Sequence, residues 1–210
     1  LSFSSIIQVA EKINNNKITE KNFIKYLQTK NIPDPDFLIR TGNTRRFGAS
    51  LDKIKPVVEA RTGVVMFGLN LVVYKGKTIF VGDTSVHEYP TSEQLADIAV
   101  SAARVVRLFG FDPKVAFVSH STFGQPLTNR TKHIKNAVEI LKKRDVKFEF
   151  DGDMQPDVAL NEEYKDLYPF SKIVGNANIL IMPGQHSAAI SYKMMKTLGD
   201  TKVIGPLLIG

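Results

Sequence analysis

Residues 78–118 read TIFVGDTSVHEYPTSEQLADIAVSAARVVRLFGFDPKVAFV, and this stretch decides the fold. Apolar runs at 78–81 and 115–118 predict two buried strands. Between them, Thr91–Gln94 (TSEQ) matches a capping box, which marks the start of a helix that Gly110 ends. The stretch is therefore a strand–helix–strand unit, and its two strands are expected to lie parallel in one sheet.

The same alternation of strands and helices continues along the chain. Helices are predicted at 5–13, 50–59, 129–143 and 187–198, and further strands at 37–39, 64–74, 148–150, 178–182 and from 203 onward. The short connection Lys75-Gly76-Lys77 joins two of the strands into an antiparallel hairpin. We therefore predict an α/β domain with three layers, αβα, and a mostly parallel sheet with one antiparallel hairpin.

The composition excludes several classes of protein. The chain has 210 residues, of which 43% are hydrophobic and 23% charged, as is typical of a globular protein. It contains no cysteine, so disulfides, thiol nucleophiles and thiolate metal sites are excluded. The longest apolar run, at 63–73, falls short of the roughly 20 residues that a membrane span needs, and no signal peptide is visible. A cytoplasmic location without membrane contact is expected.

The net charge of +7 is concentrated near the N-terminus. Residues 1–47 carry eight Lys and Arg against four Asp and Glu. Because guanidinium groups fit phosphate oxygens, Arg45 and Arg46 are candidate ligands of a phosphate group, and a solvated basic surface is the favoured alternative. Nucleic-acid binding is not expected, since a dense basic stripe with interleaved aromatic residues is missing.

Four polar segments follow predicted strands, and they supply the other candidate site residues. The segments are Gly82-Asp83-Thr84, Ser119–Gly124, Asp151-Gly152-Asp153 and Pro183–His186. Ligands of parallel α/β sheets bind beyond the carboxyl ends of the strands, so a shallow anion pocket is predicted where these segments meet. The candidate ligand-binding residues here are Asp83, Thr84, Ser119, Ser121, Thr122, Gly124, Asp151 and Gly152.

Each of these segments also has a plainer interpretation. Ser119–Gly124 is as well explained by a capped turn as by an anion contact, and turn-forming aspartates are favoured for Asp151 and Asp153. The four histidines lack the spacing of metal ligands, so no metal site is predicted. A Walker loop, a G-x-G-x-x-G fingerprint and a G-x-S-x-G elbow are all missing, so neither nucleoside triphosphate nor dinucleotide binding is supported.

Five sequence motifs follow one another after residue 42. They are Val81–Ala99, Lys114–Gly124, Phe150–Leu160, Gly175–Pro183 and Gly205–Gly210. They resemble segments of the phosphate acetyl/butyryl transferase family, such as GDTxVNxxPTAEELADIA and GxANVLIMP. The resemblance implies that family's fold, which is also that of the isocitrate and isopropylmalate dehydrogenases.

Finer features resemble one branch of that family. These are Gly42–Ile54, Thr84–Pro90, Phe123, Leu167–Phe170 and His186–Ile190. They are similar to the C-terminal transferase-like domain of bacterial NADP-dependent malic enzymes.

That branch implies a regulatory and oligomerising domain, forming a dimer or higher oligomer, that binds acetyl-CoA as an allosteric effector. Malate would be oxidised to pyruvate by an upstream domain, absent here, that holds NADP and a divalent metal ion. The family's catalytic Ser-Arg pair and Asp would follow Gly210, so no catalytic residue is assigned. The alternative is a phosphate acetyltransferase that moves acetyl between acetyl phosphate and coenzyme A.

Residues 1–41 resemble a different family. Lys17–Leu27 and Ile32–Gly42 (IPDPDFLIRTG) are similar to segments of cis-prenyltransferases, the undecaprenyl diphosphate synthase family. In that family the Arg matched by Arg40 helps to hold a diphosphate, so a prenyl-diphosphate-binding fragment is a third interpretation. We predict a partly helical segment of separate origin at 1–41, followed by a C-terminally truncated transferase-like domain at 42–210.

Overall fold

The computed structural model describes residues 37–39 and 62–210. The predicted helices at 5–13 and 50–59 lie outside the described residues, as do Arg40, Arg45 and Arg46. The predictions for these positions therefore stay predictions.

Strands and helices alternate along the described residues. The strands are β1 (Phe37–Ile39), β2 (Phe67–Tyr74), β3 (Lys77–Gly82), β4 (Lys114–Val118), β5 (Glu149–Met154), β6 (Ile179–Ile181) and β7 (Thr201–Ile209). The helices are α1 (Ser92–Leu108), α2 (Asn129–Lys142), α3 (Pro156–Leu160) and α4 (Gln185–Leu198), with a 3₁₀ helix at Glu162–Leu167.

Within the described residues, seven strands form one mixed sheet in the order β1-β7-β2-β3-β6-β4-β5. β3, β6, β4 and β5 are neighbours and run parallel. β2 pairs antiparallel with β3, which confirms the predicted hairpin. β7 and β1 extend the antiparallel side by two further pairings, which the sequence did not reveal.

Helices cover both faces of the sheet, and the predicted three-layer α/β architecture is confirmed. On one face, α1 and α2 bury Leu95, Ile98 and Ile134 against strand residues such as Phe80 and Phe117. On the other face, α3 and α4 bury Ala159 and Ala188. These residues pack against strand residues that point to this face, such as Val81, Ala116 and Leu180. The alternation of strand side chains between the two faces thus places a core on each side.

Two local predictions are confirmed in detail. The Thr91 hydroxyl accepts a hydrogen bond from the Gln94 backbone N–H, and the Gln94 side chain accepts one from the Thr91 N–H. In the hairpin, Lys75 and Gly76 both have positive φ, +46° and +76°, as a two-residue type I′ turn requires. β2 begins at Phe67, three residues later than predicted.

The prediction of a loop at Asp151-Gly152-Asp153 is wrong. These residues belong to β5, and Asp151 and Gly152 pair with Ala116 and Phe117 of β4. Gly152 has φ +151°, and a Cβ atom there would lie 2.7 Å from the Phe117 carbonyl oxygen. The strand tolerates two aspartates because neighbouring donors satisfy three of their four carboxylate oxygens. The polar sequence is typical of a turn, but the backbone is extended.

Candidate ligand site at the strand ends

The candidate site lies at one edge of the sheet. Since β3, β6, β4 and β5 are adjacent and parallel, their carboxyl ends meet at this edge. The predicted segments that begin at Gly82, Ser119 and Pro183 leave the sheet there, and β5 brings Asp153 to the same edge. The expected convergence of polar strand ends is therefore present in the fold.

The loop after β4 buries three hydroxyl groups. Ser119, Ser121 and Thr122 are each at most 8% exposed. The hydroxyl of Ser121 donates to the Asp153 carboxylate, while the backbone N–H of Ser121 donates to the Ser119 Oγ at 3.3 Å. The backbone N–H of Gln155 donates to the Thr122 Oγ1 at 3.3 Å. The loop is thus held to the end of β5 by side-chain hydrogen bonds.

Two of these hydroxyl groups keep a proton to donate. Ser119 and Thr122 accept hydrogen bonds, and among the residues that the structure describes neither hydroxyl has an acceptor for its own hydrogen. Ser121 differs, because its hydrogen is given to Asp153. The loop therefore offers two O–H donors, the kind of group that an anionic oxygen accepts from.

Asp153 supplies a second unusual feature of this loop. Its side chain is fully buried, and its Oδ1 atom has no hydrogen-bond partner within the described part of the chain. Buried polar atoms without a partner are uncommon in proteins. This one belongs to the carboxylate that accepts from Ser121, so the end of β5 adds an acceptor, not a donor, beside the hydroxyl groups of the loop.

The Asp83 carboxylate is fully occupied by protein donors. Its Oδ1 accepts from the backbone N–H groups of Gly68, Ser85 and Val86, and its Oδ2 accepts from the N–H and Nδ1 of His87. The side chain is completely buried. Asp83, predicted as a ligand contact, therefore shapes the loop after β3 and has no acceptor site left for a ligand.

The other predicted residues fall into two groups. Thr84 is buried and its N–H donates to the Gly68 carbonyl, while Asp151 accepts from the N–H groups of Gly152 and Lys172. These residues fix the backbone next to the site. Gly124 lies in the loop itself with φ +84°.

Sequence reasoning missed two contributors to the site. Gln155 donates its backbone N–H to Thr122 and its side-chain amide to the His120 carbonyl, yet no pattern singles it out. Phe123 was noticed only as a feature of one family branch, and its ring packs on Tyr168 and Phe170.

The described residues lack two further features. No group of three or more His, Asp or Glu side chains there is arranged to hold a metal ion. No helix in the same ranges is long and apolar enough to cross a membrane.

Comparison with known proteins identifies the relatives of this chain. Residues 34–210 match the family described as phosphate acetyl/butaryl transferase. The NADP-dependent malic enzyme of Rhizobium meliloti is 44% identical over 177 residues, which cover 84% of this chain and 23% of that protein. The phosphate acetyltransferase of Clostridium acetobutylicum is 36% identical over 174 residues, covering 81% of this chain and 52% of that enzyme.

Solved structures give the same result. The EutD phosphotransacetylase from Staphylococcus aureus superimposes with a TM-score of 0.71 at 27% sequence identity, over 77% of this chain and 51% of that one. The chain therefore spans about a quarter of the length of that malic enzyme and about half of the length of these two transferases. The family match begins at residue 34, whereas the division into 1–41 and 42–210 stays a prediction.

Proposed function

Because the chain belongs to the phosphate acetyl/butyryl transferase family, we propose that it is the effector-binding and assembly domain of an NADP-dependent malic enzyme. Its 44% identity to such an enzyme supports this choice within the family. In this proposal the domain binds acetyl-CoA, self-associates as a dimer or higher oligomer and works in the cytoplasm. The oxidation of malate, with NADP and a divalent metal ion, belongs to another part of the enzyme.

The observation that carries the proposal is a pair of hydroxyl donors at the strand ends that lack an acceptor among the described residues. Ser119 and Thr122 are largely buried, at 8% and 7% exposure, at the edge where four parallel strands end. The phosphate groups of coenzyme A are anions and need such donors. Arg45 and Arg46 are proposed to add positive charge to the same site.

The proposal assigns no catalytic residue. Five protein donors enclose the Asp83 carboxylate, and Ser121 is completely buried. Neither residue therefore presents a reactive atom to a ligand at the edge of the sheet.

Calorimetric titration of acetyl-CoA into the 210-residue chain tests the proposal. Saturable binding at one site per chain is expected. Replacing Ser119 by Ala together with Thr122 by Val should weaken the affinity about tenfold or more, since hydrogen bonds to charged groups are stronger than those between neutral groups. Thr197→Val, at an exposed hydroxyl on α4, is the matched control and should bind normally. Absence of binding up to millimolar acetyl-CoA would refute the effector role.

A phosphate acetyltransferase is the second candidate. It is favoured by the 36% identity to the Clostridium enzyme and by the fit to phosphotransacetylase structures. An assay that follows acetyl-CoA formation from acetyl phosphate and coenzyme A separates the two proposals. Turnover supports the transferase, whereas binding without turnover supports the effector domain.

A further inference from the structure

Three aromatic side chains meet beside the Ser119–Gly124 loop, and the proposed function leaves them unused. We call Phe123, Tyr168 and Phe170 the aromatic cluster. The ring centroids of Phe123 and Phe170 lie 4.8 Å apart, those of Phe123 and Tyr168 5.6 Å, and those of Tyr168 and Phe170 6.1 Å. Two of the pairs are edge-to-face and the Phe123–Tyr168 pair is tilted at 49°. Aromatic pairs at these distances attract each other, so the three rings form a defined unit.

The backbone on both sides holds this cluster next to the hydroxyl donors. Phe123 belongs to the loop and has φ +49°, an uncommon conformation for a bulky residue. Its N–H donates to the Asp153 carbonyl at 2.6 Å, and the Lys172 N–H donates to the Asp151 carboxylate at 2.8 Å. Both halves of the cluster are thus tied to the end of β5.

The three rings differ in exposure. Phe123 and Tyr168 are partly buried against the core on the α3 and α4 side of the sheet. Phe170 rests on both of them and is still 62% exposed. An aromatic ring that is supported from behind and open in front is a platform on which a planar base can stack.

Lys172 places a positive charge close to the cluster. It is two residues beyond Phe170, and its backbone N–H is held by the Asp151 carboxylate. A hydrogen bond from Lys142 lowers the pKa of Glu139, and the charges of Lys142, Lys135 and Lys172 add to the effect, although of the three lysines it is Lys142 that contacts this carboxylate. Lys172 is therefore the cation that the cluster offers to a phosphate group of a base stacked on Phe170.

We propose that the aromatic cluster binds the adenine ring of coenzyme A, so that the domain recognises its ligand through the nucleotide end. This inference rests on the proposed function. In coenzyme A, the 3′-phosphate and the 5′-diphosphate belong to the same nucleoside as the adenine. Because Phe170 packs on Phe123 of the Ser119–Gly124 loop, a base stacked on Phe170 would have its phosphate groups near that loop, whereas the thioester lies at the far end of the pantetheine arm.

Calorimetric titration with three probes tests this assignment. The probes are acetyl-CoA, adenosine 3′,5′-bisphosphate as its nucleotide end, and S-acetyl-4′-phosphopantetheine as its other end. Phe170→Ala should weaken acetyl-CoA and the bisphosphate about tenfold each and leave the phosphopantetheine unchanged, because stacking involves the base alone. Phe170→Tyr keeps an aromatic ring and should restore both affinities.

Tyr74→Ala is the matched control, since Tyr74 is a 40% exposed aromatic residue at the hairpin, on the opposite edge of the sheet. It should leave all three affinities unchanged. If the wild-type chain and Phe170→Ala bind acetyl-CoA equally, or if the phosphopantetheine binds as tightly as acetyl-CoA, the base site is wrong and the effector role stands. If the wild-type chain binds no acetyl-CoA, both proposals fall.

Discussion

At the level of single residues, Asp83 organises the loop between β3 and α1. It draws five hydrogen bonds from four residues onto one buried carboxylate, including the N–H of Gly68 on β2. Hydrogen bonds to an ionised acceptor are stronger than neutral ones. One aspartate thus fixes the position from which the chain enters α1.

Asp83→Asn should destabilise the protein by about 3 kcal/mol, because the amide turns one acceptor oxygen into a donor that faces other donors. Urea unfolding, followed by circular dichroism, measures the change. Asp157→Asn is the control, since Asp157 is exposed and, among the described residues, its carboxylate accepts only from the adjacent Val158 N–H; its effect on the free energy of unfolding should stay within about 0.5 kcal/mol. Equal stability of both variants would show that the Asp83 contacts carry no net energy.

Tyr192 gives a prediction about pH. Burial raises the pKa of Tyr192 above its usual value of about 10, and a hydrogen bond with Asn70 offsets part of the rise. Above pH 10 the unfolded chain releases this proton while the folded chain retains it, so stability falls as pH rises through that range. Tyr192→Phe should lose less stability than the wild type between about pH 9 and pH 11 in urea unfolding. Identical pH dependence in the two proteins would contradict the raised pKa.

At the level of elements, the parts that sequence predicts well are those whose signals are local. Thr91 with Gln94 defines the start of α1, and the inward face of α2 is confirmed at Ile134, Ala137, Val138 and Leu141. A cap or a helical face depends on residues within four positions of one another. β5 is the opposite case, because its aspartates accept hydrogen bonds from Ser121 and Lys172, which no local pattern connects to it.

The close pairing of β4 with β5 makes Gly152 sensitive to substitution. Gly152→Ala should destabilise the protein by about 3 kcal/mol, since the new methyl would contact the Phe117 carbonyl and φ +151° strains an L-residue. The thermal unfolding midpoint reports the loss. Gly110→Ala is the matched control, because Gly110 also has a positive φ, +84°, but has open space around it. A loss of stability of about 1 kcal/mol is expected for this variant. A larger loss at Gly110 than at Gly152 would refute the packing argument.

At the level of the whole molecule, the strand order decides what the sequence could and could not predict. A general rule of parallel sheets predicted that the polar strand ends converge. The adjacent parallel strands β3, β6, β4 and β5 confirm this prediction. The position of β7 between β1 and β2 did not follow, because it depends on pairings across more than 120 residues, as between Phe67 and Ile209. The sequence therefore located the edge that carries the candidate site and the β2–β3 hairpin, but not the antiparallel pairings of β7 with β1 and β2.

The proposed function requires that this edge of the sheet bind coenzyme A. Amide hydrogen exchange of the 210-residue chain, with and without saturating acetyl-CoA, measures such binding segment by segment, because bound ligand slows the opening of the segments that it contacts. We expect slower exchange in residues 119–125 and 168–172, and unchanged exchange in the hairpin turn at Lys75-Gly76 on the opposite edge. Slower exchange at the hairpin, with no change at the strand ends, would contradict the proposed function.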